Sequence, residues 1–359
     1  MLGSLTTPNG LSPGSPERYW ACIRYFSACA ASQDLRIRTA FTDLDPHQKG
    51  ILSDDFGVAV STEWFVRQLG GVNDIVDGRR FIINMGVRRP KSGRLPKVGP
   101  GKCPDFVIED QQGKYHVLEC KGTQSGRGYL NTAMATGRVQ KHGVRIARAL
   151  RGERLVIGLA LAGEEDDYQS QLVVIDPEEE PLTELRESDA SRASQVLTRL
   201  SLARALNLNG FNQTAFEIAW PEKMDPSSPE AELLSVAERR GFSRKLDDRR
   251  RAWKDELAAE LRSPPRRQLD DFFVQEMRFD IPAISLDSGA GLVTSVTVRR
   301  GIQSSLIKNL FNSGNDLRAA AIDVANTVAT NQARVSFEED KNYARLNYNN
   351  LFFSEILFE

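Results

Sequence analysis

Histidine and cysteine are scarce in this sequence of 359 residues, which holds three of the first and four of the second. Neither is clustered. Cys22, Cys29, Cys103 and Cys120 include no C-x-x-C pair, which suits a reducing compartment and a cytoplasmic location. His116 and Cys120 could not share a zinc ion, because four residues of extended chain span roughly 13 Å. His47 and His142 have no partner pattern and read as surface groups. No Ser/His/Asp or Cys/His arrangement can be assembled, no phosphate-loop signature occurs, and there is no internal repeat. Long apolar runs are also missing, so no membrane span is expected. Met1 to Pro16 is rich in Gly, Pro, Ser and Thr without a basic n-region, which reads as a flexible lead-in and not a signal peptide. A net charge of −1 argues against a general nucleic-acid coat.

What remains is an ordinary globular composition, 40% apolar and 26% charged, long enough for two domains. One local absence stands out. Between Arg79 and Lys102 there is no acidic residue, while Arg88, Arg89, Lys91, Arg94, Lys97 and Lys102 all fall there. Interspersed Pro and Gly make residues 88–102 a loop. Such a loop is either a solvated surface segment or a phosphate-contacting one, and its place beside Asp105 favours nucleic acid.

The densest chemistry lies just beyond that loop. Pro104-Asp105 is followed after thirteen residues by Glu119-Cys120-Lys121. Two short apolar runs flank Asp110-Gln111-Gln112-Gly113-Lys114, a hairpin signal. A three-residue loop with Gly113 in the left-handed position sets Asp105 opposite Glu119, on one face. Lys121, two residues on, shares that face by the period of a strand. Two carboxylates this close are unfavourable without a cation. Hard divalent ions, Mg²⁺ or Mn²⁺, take carboxylate oxygens and can serve phosphodiester hydrolysis. Asp105 and Glu119 are then the expected metal ligands, with Lys121 orienting or helping to deprotonate the attacking water.

Pro104-Asp105, Glu119-Cys120-Lys121 and the helix-like stretch after them resemble the PD-(D/E)XK nuclease superfamily. The resemblance covers roughly Gly57 to Pro177 and implies a restriction-endonuclease-like mixed sheet flanked by helices, Mg²⁺ dependence and cleavage of nucleic acid. Members often carry a further acid on a helix before the first strand. Glu63 is the candidate, either turned inward as a third metal ligand or an ordinary solvated glutamate. Gln140 could match a glutamine that some relatives place on the helix after the Glu-x-Lys strand, or be a surface residue.

Along the chain, a helix is expected from Ser15-Pro16 to about Ser32, and a second from about Asp54 to Leu69, capped by Ser53 or Asp54. The Asp45–Phe56 stretch echoes a calcium loop, but Lys49 and Phe56 stand where oxygen ligands are needed. Phe81–Met85, Asp105–Glu109 and Tyr115–Lys121 read as strands, Tyr129–Lys141 as a helix, Leu155–Leu161 and Leu172–Ile175 as further strands. An α/β core follows. The division expected is 1–16 lead-in, 17–180 nuclease-like domain and 181–359 a mainly helical recognition or assembly region with some strand. The apolar end, Leu351 to Glu359, should pack on the body or on another subunit. The functional expectation is a cytoplasmic, metal-dependent DNA endonuclease of a restriction or anti-phage defence system, with RNA not excluded and a homodimer or partner defence subunit conceivable. The rival is a non-catalytic nuclease-fold scaffold that binds nucleic acid or a partner protein.

Overall fold

β-Branched and apolar runs build one mixed sheet of eleven strands with helices packed against it, an α/β architecture. The computed structural model describes residues 2–5, 16–30, 32, 34–86, 103–140, 145–176, 184–221, 234, 239–240, 246–262, 268–285, 292–314, 316–328, 333–340 and 342–359. The first five strands are β1 (Val72–Asp77), β2 (Phe106–Asp110), β3 (Tyr115–Thr123), β4 (Arg151–Ala160) and β5 (Gln171–Ile175). The later six are β6 (Gln268–Leu269), β7 (Phe272–Ser285), β8 (Leu292–Gln303), β9 (Val335–Asp340), β10 (Tyr343–Tyr348) and β11 (Phe352–Phe358). Across the sheet they run β6-β7-β8-β11-β10-β9-β1-β2-β3-β4-β5. β1 to β3 form an antiparallel meander, β4 is parallel to β3, and β5 returns antiparallel.

The helices used below are α1 (Trp20–Phe26), α2 (Pro46–Gln68), α3 (Gly78–Met85), α4 (Gly126–Gln140) and α5 (Ala190–Leu208). A parallel step needs a crossover, and α4 supplies it between β3 and β4. Among the described residues no helix is long and apolar enough to cross a membrane.

Three elements differ from the sequence reading. α2 starts eight residues early, because the Asp45 carboxylate accepts from the amides of His47 (2.9 Å) and Gln48 (3.2 Å), with Pro46 at the first helical position. Ser53 and Asp54 are therefore helix-interior residues and not caps. Phe81–Met85 is helix, not strand: Asp77 caps α3 by accepting from Arg80 N at 2.8 Å. The strand at this point is Val72–Asp77, whose polar Asn73 and Asp74 disguise it. Third, among the described residues the region after 181 contributes six strands to this sheet, and Leu351–Glu359 supplies β11, inserted between β8 and β10.

Two glycines set α2 tightly on β3. A Cβ on Gly57 would come within 2.6 Å of the Lys121 carbonyl oxygen, and one on Gly122 would overlap the Ser53 carbonyl. Both approaches are to backbone, which cannot swing aside. Gly122→Ala is expected to lower stability by about 3 kcal/mol or more, at the top of the overpacking range, read as a fall in the urea midpoint. An unchanged midpoint would contradict this contact.

On the same face His116 is a structural pin. Its Nε2 bonds the Asp110 carboxylate at 3.1 Å while Nδ1 accepts from Glu153 N–H at 2.9 Å, and Phe65 packs edge-on against the ring. Among the described residues, the remaining strands join the first five through the pairing of Val72 with Val335. A buried polar knot reinforces that seam. Asp74, fully buried, accepts from Thr198 Oγ1 (3.0 Å), Tyr348 OH (3.1 Å) and Arg334 Nη1 (3.1 Å). Burial pushes the Asp74 carboxyl up to about 6 despite Arg334 and the hydroxyl donors.

Candidate active site

β2 begins at Phe106, paired with Leu118, whereas β3 runs on to Thr123. The end of β3 therefore has an edge that β2 does not cover. Asp105, the residue before β2, closes part of it by accepting from Cys120 N–H with Oδ2 at 2.7 Å. The register places Asp105 opposite Glu119, as the loop length predicts. Backbone holds it there, since the Asp105 carbonyl accepts from Gly78 N–H at 2.9 Å.

Glu119 and Lys121 project from one face of β3, over which Leu130 and Met134 of α4 also pack against Gly158, the partner of Lys121 on β4. Lys121 Nζ donates to Glu119 Oε1 at 2.6 Å. Glu119 is 1% exposed, and its Oε2 is buried with no hydrogen-bond partner among the described residues. Burial, reinforced by the charge of Asp105, raises the Glu119 carboxyl well above the carboxylate range, against the pull of Lys121. Asp105 shifts the same way, mainly through burial, with Asp77 and Asp54 adding repulsion and the Cys120 amide and Lys121 opposing it. Burial works against the Lys121 ammonium, but Glu119, Asp105 and Asp54 outweigh it and raise its pKa.

Asp54 is the acid that sequence reasoning missed as a site residue. The glycine contacts bring α2 against the end of β3, so the Asp54 carboxylate faces the Gly122 amide and feels the charges of Lys121 and Asp105. The signal was present: Asp45-Pro46 starts the helix, and Gly57 marks where it meets the sheet. Asp77, at the mouth of α3, adds a fourth negative group facing Asp105.

Glu63 is not brought to this cluster. It lies nine residues beyond Asp54, half a turn around α2 and about 13.5 Å along it. There it pairs with Arg67 at 2.9 Å, and Arg67 also meets Glu339 at 2.8 Å. Gln140 ends α4, and its side chain lies outside the described residues, as do Arg88, Arg89, Lys91, Arg94, Lys97 and Lys102. Among the described residues no three His, Cys, Asp or Glu side chains already enclose a metal-sized space. The donor set nevertheless fits a hard cation: carboxylate oxygens that repel each other, one of them buried without a donor. Burial pushes the Cys103 thiol up to about 11 and also raises Cys120, so neither thiol is a ready nucleophile. No protein-family model, curated protein or solved structure matches this chain.

Proposed function

We propose that this chain is a Mg²⁺- or Mn²⁺-dependent nuclease that hydrolyses DNA phosphodiester bonds at the open end of β3. The observation that carries this reading is the pair of buried carboxyls, Asp105 and Glu119, that repel each other at one spot with Lys121 on the same face. Two buried carboxylates side by side are unfavourable unless a cation compensates them. Support also comes from the run α2, β1, α3, β2, β3, crossover α4 and parallel β4, a mixed sheet flanked by helices like that of PD-(D/E)XK nucleases. A restriction or anti-phage defence setting rests on that resemblance alone.

Asp105 and Glu119 would hold the ion, with Asp54 facing it from α2. When bound, the metal supplies charge neutralisation and a more acidic water. Lys121 holds the water's lone pair toward the phosphorus and offsets the charge that grows on the phosphate oxygens as one bridging bond breaks. The ammonium suits this role because it stays protonated above neutrality.

Plasmid and single-stranded DNA incubated with the full chain should be cut with Mg²⁺ or Mn²⁺ and left intact with chelator. DNA bound but uncut under every metal would favour the scaffold instead. The pH dependence follows from the two carboxyls. Both are raised in the fold, so their contribution to stability is full below the ordinary carboxylate range of about 4 and is lost as pH rises through the raised values. Metal binding needs them ionised. Mg²⁺ affinity should therefore climb with pH across that window, with protons released on binding. Calorimetry in two buffers of different protonation enthalpy reads the release, which should be larger at pH 6 than at pH 8.5. Equal, zero release at both would remove these carboxyls as ligands.

A further inference from the structure

A second cavity, of about 250 Å³, opens beside the acidic cluster at the exit of β3. Thr39, Lys49, Gln124, Glu164, Glu165 and Tyr168 line it. It shares a turn of α2 with the candidate active site, for Gln124 Nε2 donates to Ser53 Oγ at 3.3 Å and Ser53 precedes Asp54. Gln124 also stands three residues past Lys121, about 10 Å along an extended chain. Its Oε1 is buried and has no hydrogen-bond partner among the described residues.

The lining says what fits. A cavity of roughly 150 Å³ accepts benzene, so this one has room for a purine. Carboxylates on one wall repel phosphate, which keeps a nucleic-acid backbone out. They accept readily from amino groups: Glu164 and Glu165 meet the Thr39 amide and hydroxyl only at 3.3 Å each, long bonds that a better donor displaces. The Gln124 amide, whose oxygen is screened from solvent and has no partner among the described residues, lies against the same space. At the mouth the Tyr168 ring is 39% exposed and offers a face for stacking.

We propose that this cavity receives an unpaired nucleobase bearing an exocyclic amino group, next to the phosphate being cut. Adenine, cytosine and guanine present such a group; thymine does not. The base must leave its stack to enter, so single-stranded or locally opened DNA is the favoured substrate. The inference rests on the nuclease reading and assigns its base preference to Gln124, Glu164 and Tyr168.

The test uses the full chain with Mg²⁺. Oligonucleotides carrying 2-aminopurine at successive positions are bound at saturating Lys121→Ala protein, which should not cut them. Emission should rise severalfold at one position, and the rise should vanish in the added backgrounds Gln124→Leu and Tyr168→Ala. With cutting-competent protein, A, C or G at that position should be favoured about tenfold over T, collapsing to within twofold in Gln124→Leu. Flat emission at every position from DNA that is bound and cut, or an unchanged preference in both variants, overturns the base site and leaves the nuclease standing. DNA neither bound nor cut with Mg²⁺ or Mn²⁺ overturns both. Tyr168 is a surface residue, so its variant keeps the test valid should Gln124→Leu fail to fold.

Discussion

Lys121→Met should lower DNA cleavage by about 10²–10³-fold, the usual cost of removing one group that stabilises charge in the transition state. The same change leaves Glu119 buried without its cation, so it should also destabilise the protein, more at pH 8 than at pH 5. The sign follows from the raised carboxyl: protonation relieves the buried charge as pH falls. Two effects on one residue could be confused, and a second variant separates them. Lys121→Met with Glu119→Gln removes the charge altogether, so stability should recover, while cleavage is read on Lys121→Met alone because the double variant also lacks a metal ligand. Rates from single-turnover assays and midpoints from urea unfolding provide the two readouts. Undiminished cleavage by Lys121→Met would make Lys121 a structural residue, and an unrecovered midpoint in the double variant would show that the lost stability does not come from the bared charge of Glu119.

The largest effect on stability is expected at the seam between β1 and β9. Arg334→Met takes the cation from the fully buried Asp74, and breaking such a pair from one side costs about 3–5 kcal/mol. Glu109, opposite Asp74 on β2 and itself raised to about 7 by burial and by Asp74, makes the uncompensated charge worse. Both carboxyls are raised in the fold, so the loss should be greatest above pH 7 and shrink as pH falls below about 6. Asp74→Asn added to Arg334→Met should restore part of the loss, because no charge is then left buried. A loss under 1 kcal/mol at pH 8 would mean that the knot is ornamental and that packing alone holds the seam.

The part of the site carried by one hairpin is readable in the chain, because loop length and strand period act over fifteen residues. Asp105, Glu119 and Lys121 meet for that reason. Asp54 is not readable that way. Its place depends on where α2 starts and on the approach of Gly57 to Gly122, a contact between segments over sixty residues apart. Glu63 attracted attention by sharing a face with Ala59 and Val66, yet the face that reaches the site is the one bearing Asp54. The apolar run Phe81–Met85 fits a strand as well as a buried helix turn, and the Asp77 cap decided for helix. β1 hides in the opposite way, since Asp74 is polar where alternation expects an apolar residue, and it is satisfied by partners more than a hundred residues later in the chain. β9 and β10 hide for a related reason: they carry half-exposed polar residues, and only pairing with each other and with the apolar β11 makes them sheet.

Because β11 fills the gap between β8 and β10, a growing polypeptide cannot complete this sheet until residues 352–358 have left the ribosome. Until then two bare edges face each other, and Asp74 waits for an arginine made 260 residues later. Closure of the sheet is thereby a late step of folding set by chain order, while Asp105, Glu119 and Lys121 belong to strands that come early in it.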